Sequence, residues 1–307
     1  MREQAGAAPW RPFNPPAKNM TVSAQPLAFQ GEMEGVPAIP PGLHPAPNPE
    51  EWAAVHGPLA LALAQRAGWN PQSPHPFTRR VPYMVALGGG VATGKSTLAA
   101  WWAALLNNLG VEARVVCTDS FLLPMAEMEK QGLAARKGFP ESYDRQALHE
   151  FLQHMTQGLP AELPVYSHSR YDIVPGQRQQ MTPPHVLLVE GVNVLGEAGD
   201  HGQPFDLAIY LEAPASLAEQ WHRERFLALR VNPPPGSPYS RYGAMSEPEA
   251  LGHQQRIWRE INQVNLDQHI RPAGAKAHWV VEKSTGHRVV AVRQQQGNTL
   301  LHPERKP

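Results

Sequence analysis

A single cysteine, Cys117, stands among 307 residues, so no disulfide can close within the chain and no thiolate cluster can hold a metal. A reducing compartment suits such a chain. Long apolar runs are missing too: none approaches the roughly 18 residues of a membrane span, and the N-terminus lacks the apolar centre of a signal peptide. The expectation is a cytoplasmic protein with no membrane partner. Charge of one sign is not in excess either, with 27 Lys and Arg against 27 Asp and Glu and a pI near 7.3. Without a bulk positive field or a Lys/Arg run, nucleic acid is not an expected partner. Fourteen histidines are present but do not cluster. His149 and His154, beside Glu150, are five apart rather than four, so they do not share the helix face a zinc-protease motif requires.

Proline is the residue in surplus. Eleven of the 33 prolines fall within the first 49 residues, where hydrophobic periodicity is slight. Residues 1–48 are expected to be disordered, because such a segment buries too little to offset its ordering entropy. One folded domain is expected over 49–307. It opens at Asn48-Pro49-Glu50-Glu51-Trp52, which supplies a cap, a proline at the first helical position and acid in the first turn. Pro58 should kink or divide that helix before Gly68.

The most informative segment is Gly89-Gly90-Val91-Ala92-Thr93-Gly94-Lys95-Ser96, a complete G-x-x-x-x-G-K-[ST] loop. It sits between an apolar run, Tyr83 to Leu87, and a helical pattern, Thr97 to Leu106, closed by Gly110. In this strand–loop–helix context backbone N–H groups turn inward around a phosphate and the helix dipole points at the same anion. Lys95 reaches the β- and γ-phosphate oxygens and Ser96 offers its hydroxyl to Mg²⁺. The motif establishes nucleotide binding and leaves the phosphate acceptor open.

Strand and helix patterns alternate beyond the loop. Val111–Thr118, Val186–Val189 and Phe205–Leu211 read as strands, and Asp144 caps a helix through Met155 with Leu148, Phe151, Leu152 and Met155 on one face. Pro214–Leu229 and Glu247–Ile270 read as long helices separated by the Pro/Gly-rich stretch Asn232–Pro238, and His278–Glu282 with Arg288–Val292 as a hairpin. The pattern predicts an α/β fold of the P-loop NTPase type: a mostly parallel sheet flanked by helices, with ligands at the carboxyl ends of the strands.

Two acids fall at such ends. Glu190 closes Val186–Val189 and suits a Walker-B type acid holding Mg²⁺ or its water shell; Asp119 follows Val115-Val116-Cys117-Thr118 and suits a base for an attacking hydroxyl. A helix cap or a loop hydrogen bond is the alternative, less favoured, at either position. Cys117 reads as strand filler rather than nucleophile. His222 and Arg225 are three apart on a helix, so they share one face, turned either to a ligand or to solvent.

The octapeptide Lys137-Gly138-Phe139-Pro140-Glu141-Ser142-Tyr143-Asp144 and the block Pro164-Val165-Tyr166-Ser167-His168 with Tyr171-Asp172 resemble the type I bacterial pantothenate kinases. So do Glu190-Gly191-Val192-Asn193-Val194-Leu195, Ile261-Asn262 with Asn265-Leu266, and Lys283-Ser284 before His287. The blocks keep the family's order from Val81 to Val292. The resemblance implies ATP-dependent phosphorylation of the primary hydroxyl of pantothenate, on the P-loop fold shared with uridine kinase and phosphoribulokinase, by a homodimer. It implies Asp119 as base, Lys95 with Gly89–Ser96 and Thr97 around the phosphates, Ser96 and Glu190 at Mg²⁺, and Arg225 on the transferring phosphoryl. Lys137, Tyr166, His168 and Tyr171 would line the acceptor pocket together with His222 and His269, and His287 would lie by the adenine.

Departures accompany the match. His269 stands where the family usually has asparagine, and His222 where it tends to have tyrosine. The segment Arg271–Lys276 lacks the family's Thr-Arg pattern. These changes keep open a kinase of the same fold acting on a nucleoside or sugar, and, further off, a nucleotide switch that transfers nothing. Ala100 occupies a position in the loop helix where coenzyme-A-regulated members carry arginine, a natural phosphate partner. Feedback by coenzyme A is therefore expected to be weak, and a kinase assay with rising coenzyme A should show little ATP-competitive inhibition; potent inhibition refutes the expectation.

Overall fold

A computed structural model describes residues 45–70, 72, 77, 81–196 and 205–294. The expected disorder of residues 1–48 lies, up to residue 44, outside that range. The strands run in chain order as β1 (Tyr83–Gly89), β2 (Ala113–Cys117), β3 (Ala161–Ser167), β4 (Asp172–Met181), β5 (Val186–Gly191), β6 (Leu207–Glu212), β7 (Trp279–Lys283) and β8 (Val289–Gln294). Six form one sheet in the order β2-β5-β1-β6-β7-β8, parallel except for the terminal β7–β8 hairpin, and β3 pairs with β4 in a separate two-stranded sheet. β1 is therefore central, and the chain steps to one side of it through β2 and β5 and to the other through β6. That reversal places a crevice at the carboxyl end of β1.

Both faces of the sheet are covered, which is why β1 and β5 read as unbroken apolar runs. Tyr83, Val85 and Leu87 point into one core with the helix Lys95–Asn108 and the N-terminal helix Gly57–Arg66; Met84 and Ala86 point into the other, with the helix Arg145–Thr156 and Ile270. Leu148, Phe151, Leu152 and Met155 form the buried stripe their spacing predicts, and Asp144 caps that helix by accepting from Ala147 N at 2.9 Å. Trp102 and Trp279 fill the first core, each 1% exposed or less.

The folded domain opens as expected, with Asn48 accepting from Glu51 N at 3.0 Å and Pro49 at the start of a helical turn. Pro58 leaves the helix running on. A π-helical turn, Trp52–His56, precedes it, and the wider ladder takes up the bond and the space that proline denies. The predicted helix from Glu247 is likewise continued by π-helical turns at Trp258–Asn262 and Leu266–Ile270 before it ends at Gly274. The β3–β4 hairpin was not legible. β4 is exposed along most of its length and carries Gly176, Gln177, Arg178, Gln179 and Gln180, so no period-2 pattern marks it. No helix among the described residues is long and apolar enough to cross a membrane.

Strand ends are aligned across the sheet. Leu87 of β1 and Cys117 of β2 both pair with Glu190 of β5, so the loop, Asp119 and Glu190 begin at one level. Gly191 keeps that level tight: a Cβ there would lie 1.9 Å from Oγ1 of Thr118. Gly191→Ala should force β5 from the turn carrying Asp119 and lower stability by about 1–3 kcal/mol, seen as an earlier urea midpoint at unchanged slope.

Candidate active site

The glycine loop leaves β1 through Gly89, φ 153°, and enters the helix through Gly94, φ 88°, a left-handed conformation that only glycine adopts freely. Between them Ala92 also takes a positive φ, 63°, a sparsely populated conformation for a residue with a side chain and one the surrounding loop must hold in place. Thr93 Oγ1 and Lys95 Nζ both donate to the Gly90 carbonyl, at 2.9 and 2.8 Å. The loop is thus curled around its own lysine. Ser96 Oγ donates to Glu190 Oε1 at 2.7 Å, joining the helix start to the end of β5. Val91 and Thr97 complete the partly open rim.

Burial pulls the Lys95 ammonium below its ordinary range, while Glu190 and Asp119 act in the opposite direction. Asp119, on the 3-10 turn Thr118–Phe121, is shifted the other way: burial raises its carboxyl, Glu190 adds to the rise, and His168, Lys95 and Lys137 oppose it. Groups from five separate segments therefore share one electrostatic neighbourhood. In the same field burial, Asp119 and Glu190 push the Cys117 thiol up, which disfavours the thiolate.

Lys137 sits over two aromatic rings, its Nζ 5.3 Å from the Tyr166 centroid and 4.9 Å from that of Tyr171, and donates to the Tyr171 carbonyl. Tyr166 packs edge-on to His168 at 5.2 Å. Both belong to the β3–β4 hairpin, whose turn holds Tyr171 at φ 60°. The segment from Lys137 is tied down by Asn265, which donates to Gly138 O at 2.7 Å, and by Asn193, which donates to the same carbonyl.

The helix Ala215–Val231 brings up a third side. Arg225 is exposed, and its charge bears on Lys95, His222 and Tyr239. Tyr239 is a residue the sequence reading missed: it lies 5.7 Å edge-on to Tyr171, beside Phe226, on a Pro/Gly-rich connector that carries no periodic signal. His222 is buried against Trp258, with Nδ1 2.9 Å from Gln254 Nε2 and Nε2 3.3 Å from Asn262 Nδ2. Burial and then Arg225 lower its pKa to about 4, so the ring is neutral. His269 lies edge-on to Phe139 at 5.8 Å and close enough to Glu141 to act on its carboxyl. His287 stacks on Trp221 at 3.9 Å, with Nδ1 3.7 Å from where a Gly94 side chain would begin.

Strand, loop and helix form a glycine loop with Lys95 and Ser96, and Asp119 and Glu190 lie in its electrostatic field. A sequence model of the Phosphoribulokinase / Uridine kinase family matches residues 84–230. The pantothenate kinase of Streptomyces avermitilis is 43% identical over 222 residues, 68% of each chain, and that of Clavibacter sepedonicus 41% identical over 224 residues, 70% of each chain. The chain belongs to the pantothenate kinase family. A solved D-glycerate 3-kinase of Cryptococcus neoformans var. grubii shares the fold, with a TM-score of 0.54 at 14% identity over 77% of this chain and 96% of that one. In this pantothenate kinase family member the matched region spans the loop, Asp119, Glu190 and Arg225, whereas β7, His269 and His287 lie outside the family model.

Lys137 is one of the cations that favour the ionised form of Asp119. Its removal leaves burial and Glu190 less opposed, so the Asp119 pKa rises further. Lys137→Met should move the acid limb of the kcat/KM profile to higher pH, measured across the acidic range; a limb that stays in place would detach Lys137 from Asp119.

Proposed function

We propose that this protein transfers the γ-phosphoryl of ATP to the primary hydroxyl of pantothenate, giving 4'-phosphopantothenate. The observation that carries the reading is the convergence of Asp119 with Lys95 on one side and with Lys137 and His168 on the other. The phosphate loop and the acceptor-side blocks thus meet at a single carboxylate. The 41–43% identity to named pantothenate kinases supports the choice of acceptor.

In this reading the acceptor lies against Tyr166, Tyr171 and Tyr239, with Lys137 and His168 offering positive charge or hydrogen bonds to its carboxylate and amide. Asp119 takes the hydroxyl proton as the oxygen attacks the γ-phosphorus in line, ADP leaves, and no phosphoenzyme forms. Lys95, the loop N–H groups and Arg225 stabilise the charge that spreads over the transferring group. Ser96 and Glu190 present hard oxygen donors 2.7 Å apart beside the loop, a set suited to Mg²⁺, which when bound offsets phosphate charge. His287, stacked on Trp221, would lie by the adenine. A cytoplasmic homodimer accompanies the reading, on the strength of the family resemblance. The joint presence of Asp119, Glu190 and Arg225 around the loop argues against a switch that transfers nothing, since a switch has no use for a base at an acceptor hydroxyl.

The test is ADP release from Mg-ATP with pantothenate, with mass spectrometry of the product and parallel nucleoside and sugar acceptors. Asp119→Asn should lower turnover by about two or more orders of magnitude while ATP affinity is kept. Its stability effect has the opposite sign. Because the folded pKa of Asp119 lies above the ordinary 3.8, ionisation destabilises the fold as pH rises through that folded value. The variant should therefore melt higher than wild type at neutral pH, with the difference fading towards pH 4. Unchanged turnover, or no phosphorylated pantothenate from wild type, overturns the proposal.

A further inference from the structure

Two hydroxyls, those of Tyr143 and Thr118, are buried beside Asp119. Among the described residues neither Tyr143 OH nor Thr118 Oγ1 has a hydrogen-bond partner. Thr118 precedes the base in the chain and is 2% exposed, and its hydroxyl fits against β5 only because Gly191 has no side chain, a Cβ there lying 1.9 Å from Oγ1. Tyr143 comes from the segment that begins at Lys137, and backbone bonds lay that segment along the residues that follow Asp119. Asp144 N donates to Phe121 O at 2.7 Å, Leu123 N donates to Ser142 O at 2.8 Å, and between these bonds Tyr143 pairs with Leu122 in an antiparallel bridge. The Tyr143 ring is buried with Leu122 and Met128 and packs against Tyr166 of the hairpin.

Burial, and then the charge of Asp119, hold the Tyr143 phenol well above its ordinary pKa, while Thr118 lies close enough to act in the opposite direction. The phenol therefore keeps its proton and has one hydrogen bond to give. A buried O–H without an acceptor costs free energy, and the charged acceptor that acts most on this one is Asp119. An ionised carboxylate only accepts, through two oxygens, of which one must face the acceptor hydroxyl. Hydrogen bonds around a base are commonly long before substrates arrive and tighten in the loaded site.

We infer that Tyr143 is a positioning residue for transfer: in the loaded site its O–H donates to one oxygen of the Asp119 carboxylate, with Thr118 behind it, and so turns the other oxygen to the acceptor hydroxyl. The inference rests on the reading that Asp119 is the base. The acceptor's proton passes to Asp119 alone, and the phenol stays protonated throughout. Because the same ring packs against Tyr166, one side chain aligns the base with the aromatic side of the acceptor site.

Tyr143→Phe keeps the ring and removes only the hydroxyl. In the full chain, with Mg-ATP and pantothenate, it should lower kcat by about tenfold or more while the KM of each substrate stays within about twofold of wild type. Its melting temperature without substrates should equal or exceed that of wild type, since a buried hydroxyl without a partner is gone. Added to Asp119→Asn, it should cause little further loss, because the carboxylate it orients is no longer there. Wild-type kcat in Tyr143→Phe overturns the inference, as do losses that multiply in the double variant. A raised pantothenate KM with kcat kept, or a loss of kcat matched by a lower melting temperature, also overturns it and makes Tyr143 a packing residue. Unchanged turnover in Asp119→Asn overturns the base reading itself, and this inference with it.

Discussion

The carboxyl edge of the sheet depends on one electrostatic balance, the burial of the Lys95 ammonium against the carboxylates of Glu190 and Asp119. Removing the lysine from water costs free energy, and these two acids offset it. They can do so only because β1, β2 and β5 end at the same level, a register set by parallel pairing between strands buried on both faces. The sheet thus serves chemistry by alignment. A slip of one residue in β5 would turn Glu190 to the opposite face and leave Ser96 without its partner.

Around that rigid edge the remaining groups arrive on elements with little burial of their own. The β3–β4 hairpin, the connector with Tyr239 and the segment from Lys137 are held by a few specific contacts: the paired asparagine bonds to Gly138 O, the cation over two tyrosine rings, and edge-on aromatic packing. These groups are thus carried on elements distinct from the glycine loop, which is built from the strand and helix that also fill the core. His222 is buried as a neutral imidazole beside the amide side chains of Gln254 and Asn262.

The glycine loop, the parallel sheet and the two strand-end acids were legible because each depends on local pattern. A glycine loop needs its residues in order, a strand buried on both faces is an apolar run, and an acid directly after such a run falls at the sheet's edge. The hairpin was not legible because β4 alternates nothing, and the π-helical turns were not because they widen a helix without altering its apolar stripe. Tyr239 had no signal of its own, standing at the end of a proline-rich connector.

The sequence by itself therefore determined that this chain folds as an α/β protein around a phosphate loop, with Glu190 and Asp119 at strand ends, since those features rest on spacing along the chain. Only the tertiary structure decided which distant residues share the loop's field: Lys137 and His168 at Asp119, Arg225 near Lys95, and Lys283 and His287 at Gly94. The physical reason is that charge and burial act through space, between segments that meet only once the sheet is assembled.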